Sequence, residues 1–136
     1  MPFVVDASVP LAWCFSDEAT PATQKLLLSL ATDHAFAPAL WPTEIANTLL
    51  MAARRGRLSD ADADRHLLDL QLLPIRIDTP PDAVVIGVAT MLARSHRLTI
   101  YDAIYLELVL RLKLPLATLD ADLREAARTE GAKLLP

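Results

Sequence analysis

The chain has 136 residues, 53% of them apolar, with three glycines and 17 Asp and Glu against 13 Lys and Arg, a formal net charge of −4. These values predict one globular domain over residues 1–136 and leave little room for a long disordered tail. They also exclude the broad basic surface that sequence-independent nucleic-acid coating needs, although a local basic patch stays open. The single Cys14 cannot form an intrachain disulfide, so a reducing cytosol is the expected compartment.

Phe3–Val5 is a short apolar run ending at Asp6 and is expected as a central strand, with a helix following at once. The opening MPFVVDASVPLAWCF is read as core and not as a leader, because Asp6 interrupts it and the first basic residue is Lys25. Thr20–Ala31 carries Leu26, Leu27, Leu28 and Leu30 at helical spacing, and Ala35–Ala37 then predicts a second strand closed by Pro38. A helix is expected over Pro42–Arg55, with Ile45, Leu49 and Leu50 on one face and Gly56 as its stop.

Ser59 is placed to cap the next helix, which runs to about Leu73 before Pro74 breaks it. Ile75–Ile77 then predicts a third strand, followed by a turn at Pro80 and Pro81. Helices are expected over Asp82–Ser95 and Thr99–Leu112, then a fourth strand at Leu116–Thr118 and a helix over Asp120–Glu130. Gly131 sits at a C-cap position, and Lys133–Leu135 is a candidate edge strand. No run approaches the roughly 18 to 20 apolar residues of a membrane span; the longest candidate is Val84–Ala93. Strands separated by helical crossovers predict a short-stranded, mostly parallel central sheet in a three-layer α/β/α sandwich.

In such a sheet, ligands bind beyond the carboxyl ends of the strands. Asp6 ends the first strand, Glu44 opens the helix after the second, Asp120 follows the fourth, and Asp102 begins the long helix that feeds the fourth. Taken singly, each acid suits a helix N-terminus, and Thr99 with Asp102 has capping-box spacing. Taken together they conflict, since converging carboxylates repel by on the order of a few kcal/mol per pair at an effective dielectric near 20. A divalent cation resolves the conflict, and hard oxygen ligands suit Mg²⁺ or Mn²⁺ beside a phosphate. The acids therefore point to phosphate-ester chemistry.

Four segments carry a family resemblance: VVDASV, PTEIANTL, LTIYDAIYLELVL and LATLDADLREAAR. In their order and spacing over about a hundred residues the chain resembles PIN-domain ribonucleases, most closely the VapC-type toxins of prokaryotic toxin–antitoxin pairs. The resemblance implies a Mg²⁺- or Mn²⁺-dependent endoribonuclease with an acidic site of Asp6, Glu44, Asp102 and Asp120. It further implies that Ser8 and Thr118 help hold metal-bound water or phosphate, that Asn47 orients Glu44, and that Asp122 assists or replaces Asp120. RNA as substrate, a homodimer, a cognate antitoxin whose peptide blocks the acidic site, and a cytoplasmic location follow in the same way.

Other features are weighed against simpler roles. Asp60, Asp62 and Asp64 open like a calcium loop, but Arg65 stands where glycine is needed and Gln71 where glutamate is needed, so they read as a helix start behind Ser59. His34, His66 and His96 lack zinc-site spacing and are expected at the surface or rim, and no glycine pattern around Ser8 builds a nucleophile elbow. Arg54, Arg55 and Arg57, and Arg94, His96 and Arg97, balance RNA contact against helix C-terminal roles, with Arg97, Arg54 and Arg55 as the RNA-binding candidates. Trp13 and Trp41 are expected in the core, and the stripe Leu67, Leu68, Leu70 and Leu72 suggests a contact surface. The competing readings are a receiver-like acidic-site domain and a catalytically silent binding module.

Overall fold

The computed structural model describes residues 1–136. Five strands, β1 (Phe3–Val5), β2 (Ala35–Pro38), β3 (Ile75–Asp78), β4 (Leu116–Ala117) and β5 (Leu134–Leu135), form one sheet in the order β3-β2-β1-β4-β5. Every pairing is parallel. Seven helices flank it: α1 (Ser8–Cys14), α2 (Pro21–Ser29), α3 (Trp41–Arg54), α4 (Asp60–Gln71), α5 (Asp82–His96), α6 (Ile100–Leu112) and α7 (Ala121–Thr129). The three-layer α/β/α expectation holds, and the elements fall within a few residues of the predicted ones. The strand order differs from the 2-1-3-4-5 order of receiver-like domains, so that alternative fails on topology.

Local chemistry explains most element ends. Thr20, Ser59, Thr99 and Asp120 cap α2, α4, α6 and α7 by accepting from backbone N–H groups of the first turn. At Thr20 the partner Thr23 returns the bond and closes a capping box. α3 starts one residue earlier than expected, at Trp41, which leaves Pro42 inside the first turn where its missing N–H costs nothing. β4 ends at Ala117, but the Thr118 N–H still donates to the Leu135 carbonyl at 3.2 Å, so the edge pairing runs one residue further.

β1 is fully buried at the sheet centre, as its apolar run predicts for a parallel strand covered on both faces. α6 is apolar on nearly all sides and buries Ala103, Tyr105, Leu106, Leu108 and Val109, so it is a core helix and not an amphipathic surface one. Each such Leu contributes about 2 kcal/mol through burial. The core continues through Ile45 and Leu49 of α3 and Leu123 of α7. The stripe on α4 divides: Leu70 is core, Leu67 is partly buried, and Leu68 and Leu72 face solvent. No single helix is long and apolar enough to cross a membrane.

The order β2-β1-β4 has one functional consequence. Successive strands run outward from β1 to one side, and β4 returns to its other side, so the chain reverses direction across the sheet between β1 and β4. A crevice opens beyond the carboxyl ends at such a switch point.

Candidate functional site

Asp6 leaves β1 at that crevice and is 6% exposed. Its Oδ1 accepts from the Ser8 N–H at 2.9 Å and the Ser8 hydroxyl at 2.6 Å, and its Oδ2 accepts from the Thr118 hydroxyl at 2.5 Å. The same two hydroxyl oxygens accept from the opposite strand's exit: Ser8 Oγ from the Leu119 N–H at 2.8 Å, and Thr118 Oγ1 from the Asp120 N–H at 3.0 Å. Arg124 of α7 steadies this exit by donating to the carbonyls of Thr118 and Leu135. Trp41 donates from its indole to the Asp6 carbonyl at 3.2 Å.

This network gives Ser8 and Thr118 a role in holding Asp6. A hydroxyl carries one proton, and both protons are committed to Asp6, so neither side chain is a donor to phosphate in this arrangement. Each keeps lone-pair capacity through which it can accept from a water. Their observed work is to fix Asp6 and to fasten the end of β1 to the end of β4.

Glu44, in the first turn of α3, is half-buried, and its Oε1 accepts from the Tyr105 hydroxyl at 2.5 Å. Asn47, expected to orient it, is solvent-exposed and makes no side-chain hydrogen bond; the position one turn on in α3 points away, and the donor comes from α6 instead. Asp102 sits in the first turn of α6. The Asp102 N–H bonds to Thr99 Oγ1 at 3.1 Å, but no reciprocal bond from the Thr99 backbone N–H closes a capping box. An Asp is one methylene shorter than the Glu that closes a capping box, and the Thr99 side chain only partly offsets the rise in the Asp102 pKa. Asp120 caps α7 through Oδ1, which accepts from the Leu123 N–H at 2.8 Å.

The acids act on one another. Burial raises the Asp6 carboxyl above its ordinary range against the opposing hydrogen bonds from Ser8 and Thr118. Burial likewise raises Glu44, with the charges of Asp6 and Asp102 adding to it and the Tyr105 bond opposing it. Asp102 is raised by burial and then by Asp120, Asp6 and Asp122, which places Asp122 within electrostatic reach of the group. Tyr105 is pushed far up by burial and by its bond to Glu44, and so stays a donor.

None of the eight ion pairs in the molecule involves Asp6, Glu44, Asp102 or Asp120, so no Lys or Arg neutralises the group. The donor set therefore fits a divalent cation. No three of these side chains form a preformed all-protein cage.

The basic candidates separate. Arg57 is held by Asp17 at 3.0 Å and lies over the Phe15 ring. Arg54 and Arg55 are exposed at the end of α3, and Arg55 shares a cleft of about 520 Å³ with Ser8, Thr48 and Leu119, beside the acidic group. Arg97 is the left-handed C-cap of α5 (φ 55°), exposed and without an ion pair. His96 bonds to Glu130 at 2.6 Å, and His34 stands edge-on to Phe36, in line with rim roles. Trp41 is core, whereas Trp13 is half-buried with its indole bonded to the Thr23 carbonyl.

Tyr105 was not among the expected site residues. Two signals in TIYDAIY pointed to it: it lies three residues after Asp102 on one helix face, and a buried tyrosine hydroxyl needs a partner.

Comparison with known proteins bears on the family and the fold. Ribonuclease VapC3 of Pyrobaculum aerophilum is 32% identical over 125 residues, covering 92% of this chain and 94% of that protein. The crystal structure of PAE2754 from Pyrobaculum aerophilum superposes with a TM-score of 0.71 at 27% identity, over 98% of this chain and 83% of that one. VapBC2 from Rickettsia felis, solved bound to a DNA fragment from its promoter, matches in fold with a TM-score of 0.66 at 12% identity, over 98% and 97% of the two chains. The model of the PIN domain matches residues 3–129, a span that begins with the strand leading into Asp6 and ends with the helix capped by Asp120. By that match and by its similarity to VapC3, the chain belongs to the PIN domain family.

Proposed function

We propose that residues 1–136 act as a single PIN domain, an endoribonuclease dependent on Mg²⁺ or Mn²⁺ that hydrolyses RNA phosphodiester bonds as the toxin of a toxin–antitoxin pair in the cytoplasm. The observation that carries this reading is a group of acids at the β1/β4 crevice with no basic partner, two of which, Glu44 and Asp102, are raised by burial and then by the charges of neighbouring acids. The similarity to a protein named a ribonuclease supports RNA as the substrate class.

Asp6 and Asp102 would hold the ion, with Glu44 and Asp120 completing the site directly or through water, and Asp122 adding charge. Bound there, the metal supplies Lewis acidity at the phosphate and a lowered pKa for the attacking water. Ser8 and Thr118 favour the ionised form of Asp6 against the effect of burial, and aim it, by donating to both of its oxygens. Tyr105 does the same for Glu44.

The cleft that Arg55 shares with Ser8 is our candidate path for the RNA backbone, and for the peptide of an antitoxin that blocks the site. The exposed apolar residues Val84, Ile86, Val88 and Met91 of α5 are candidates for the homodimer contact that the family resemblance implies.

Two outcomes test the reading. The purified chain, free of any antitoxin, is expected to cleave single-stranded RNA in Mg²⁺ or Mn²⁺ and to be silent in EDTA, read by gel or by a fluorogenic oligonucleotide. Cleavage that persists in chelator overturns the metal mechanism, and absence of cleavage in both metals favours a silent binding module. Arg55→Ala is expected to weaken RNA binding uniformly across sequences and to lower the salt slope of log K by about 1, as loss of one phosphate contact does. Filter binding over a salt series, with cleavage suppressed in calcium, reads it.

A further inference from the structure

Each acid of the site is held in a different way. Asp6 has two hydroxyl donors and a backbone N–H, Asp120 is tied to its own helix as a cap, and Asp102 stands beside Thr99, whose side chain partly offsets the rise in its pKa. Glu44 alone is held by a single neutral donor that rises from the hydrophobic core. Tyr105 is 2% exposed, and its hydroxyl makes one hydrogen bond, to Glu44 Oε1. Were Glu44 to turn away, that hydroxyl would be left buried without an acceptor, a state that costs more than the bond itself is worth. The stiff, packed ring leaves it no other place to go.

The chemistry of the donor matters as much as its position. A Lys or Arg in the same place would neutralise Glu44 and compete with a cation for it. A phenol hydroxyl orients the carboxylate and leaves its full negative charge available, with Oε2 free of any protein donor. Tyr105 also stands three residues beyond Asp102 in α6, so one rigid helix delivers a carboxylate of the site and the group that sets a second carboxylate on α3.

We propose that Tyr105 is a positioning residue of this site, whose hydroxyl fixes the Glu44 carboxylate so that its free oxygen serves a divalent cation. The inference rests on the metal-dependent reading above and adds to it a residue acting through Glu44.

Mn²⁺ titrated into the metal-free full chain by calorimetry tests it. Tyr105→Phe removes one oxygen and is expected to weaken Mn²⁺ binding by about 10- to 100-fold, the usual cost of losing a group that orients a ligand. Its circular dichroism and its cooperative melting in EDTA should be retained. In a Glu44→Gln background the same change should alter the affinity by no more than about twofold, because its effect passes through the Glu44 charge. An unchanged affinity in Tyr105→Phe overturns the proposal. So does an equal loss in both backgrounds, since that would mark a general packing effect. Failure of the wild-type chain to bind Mn²⁺ overturns the metal reading and this inference with it, whereas wild-type binding with an unaffected Tyr105→Phe overturns the inference alone.

Discussion

Asp6→Asn is expected to lower RNA cleavage by about 10³-fold or more, the loss of about 4 kcal/mol of transition-state stabilisation. Asp6 is the buried centre of the site, and its two oxygens collect the Ser8 N–H, the Ser8 hydroxyl and the Thr118 hydroxyl. Asn keeps the shape but removes the charge, and its amide nitrogen is a donor facing hydroxyls that can rotate to accept. The fold should therefore survive while cation binding fails. Initial rates at saturating Mg²⁺, with melting in EDTA as the control, separate the two. A variant that retains more than a tenth of wild-type cleavage would remove Asp6 from the mechanism.

Asp102→Asn is expected to give the opposite pairing of effects, inactive yet more stable than wild type when no metal is present. The sign follows from linkage. Asp6, Glu44 and Asp102 all have folded pKa values raised above their ordinary range, so in the window above that range the folded state binds more protons than the unfolded state. These three groups thus make stability fall as pH rises from the ordinary carboxylate range towards neutrality. Asp102 is raised chiefly by burial and then by Asp120, Asp6 and Asp122, with only the Thr99 hydrogen bond opposing, so removing its charge relieves the desolvation and repulsion it meets.

Thermal melts in EDTA should show a higher Tm for Asp102→Asn at pH 7, with the advantage shrinking as pH falls into the ordinary carboxylate range and the wild-type acids protonate. Mg²⁺ should raise the Tm of the wild type at pH 7 and do so less at low pH, and it should leave Asp102→Asn nearly unmoved. An Asp102→Asn variant less stable than wild type in EDTA at pH 7 would show that the acids are not in conflict.

Both expectations draw on features with different origins. The alternation of strands and helices is local, set by apolar runs and by caps such as Ser59, Thr99 and Asp120, whose reach is three or four residues; these were legible along the chain. So was the placing of Asp6 just past a strand and of Glu44, Asp102 and Asp120 at helix starts, because in a parallel sheet the strands end, and the helices after them begin, at the same edge.

What could not be read locally was how each acid is held. Asn47 was a reasonable partner for Glu44 by helical spacing, but the hydroxyl of Tyr105 reaches it from 61 residues away. Ser8 and Thr118 were legible as neighbours of the site, yet only the meeting of β1 with β4, 112 residues apart, commits both hydroxyl protons to Asp6. The stripe on α4 was legible as apolar, but packing sent Leu70 inward and left Leu68 and Leu72 outside.

The sequence by itself determined the elements, the core strand and the residue types at the acidic edge, since these depend on neighbours within a turn. The tertiary structure decided the order β3-β2-β1-β4-β5, the crevice it opens and the donors that fix each carboxylate. Those depend on which distant strands pair, and directional hydrogen bonds across such pairings exist only once the crossovers are in place.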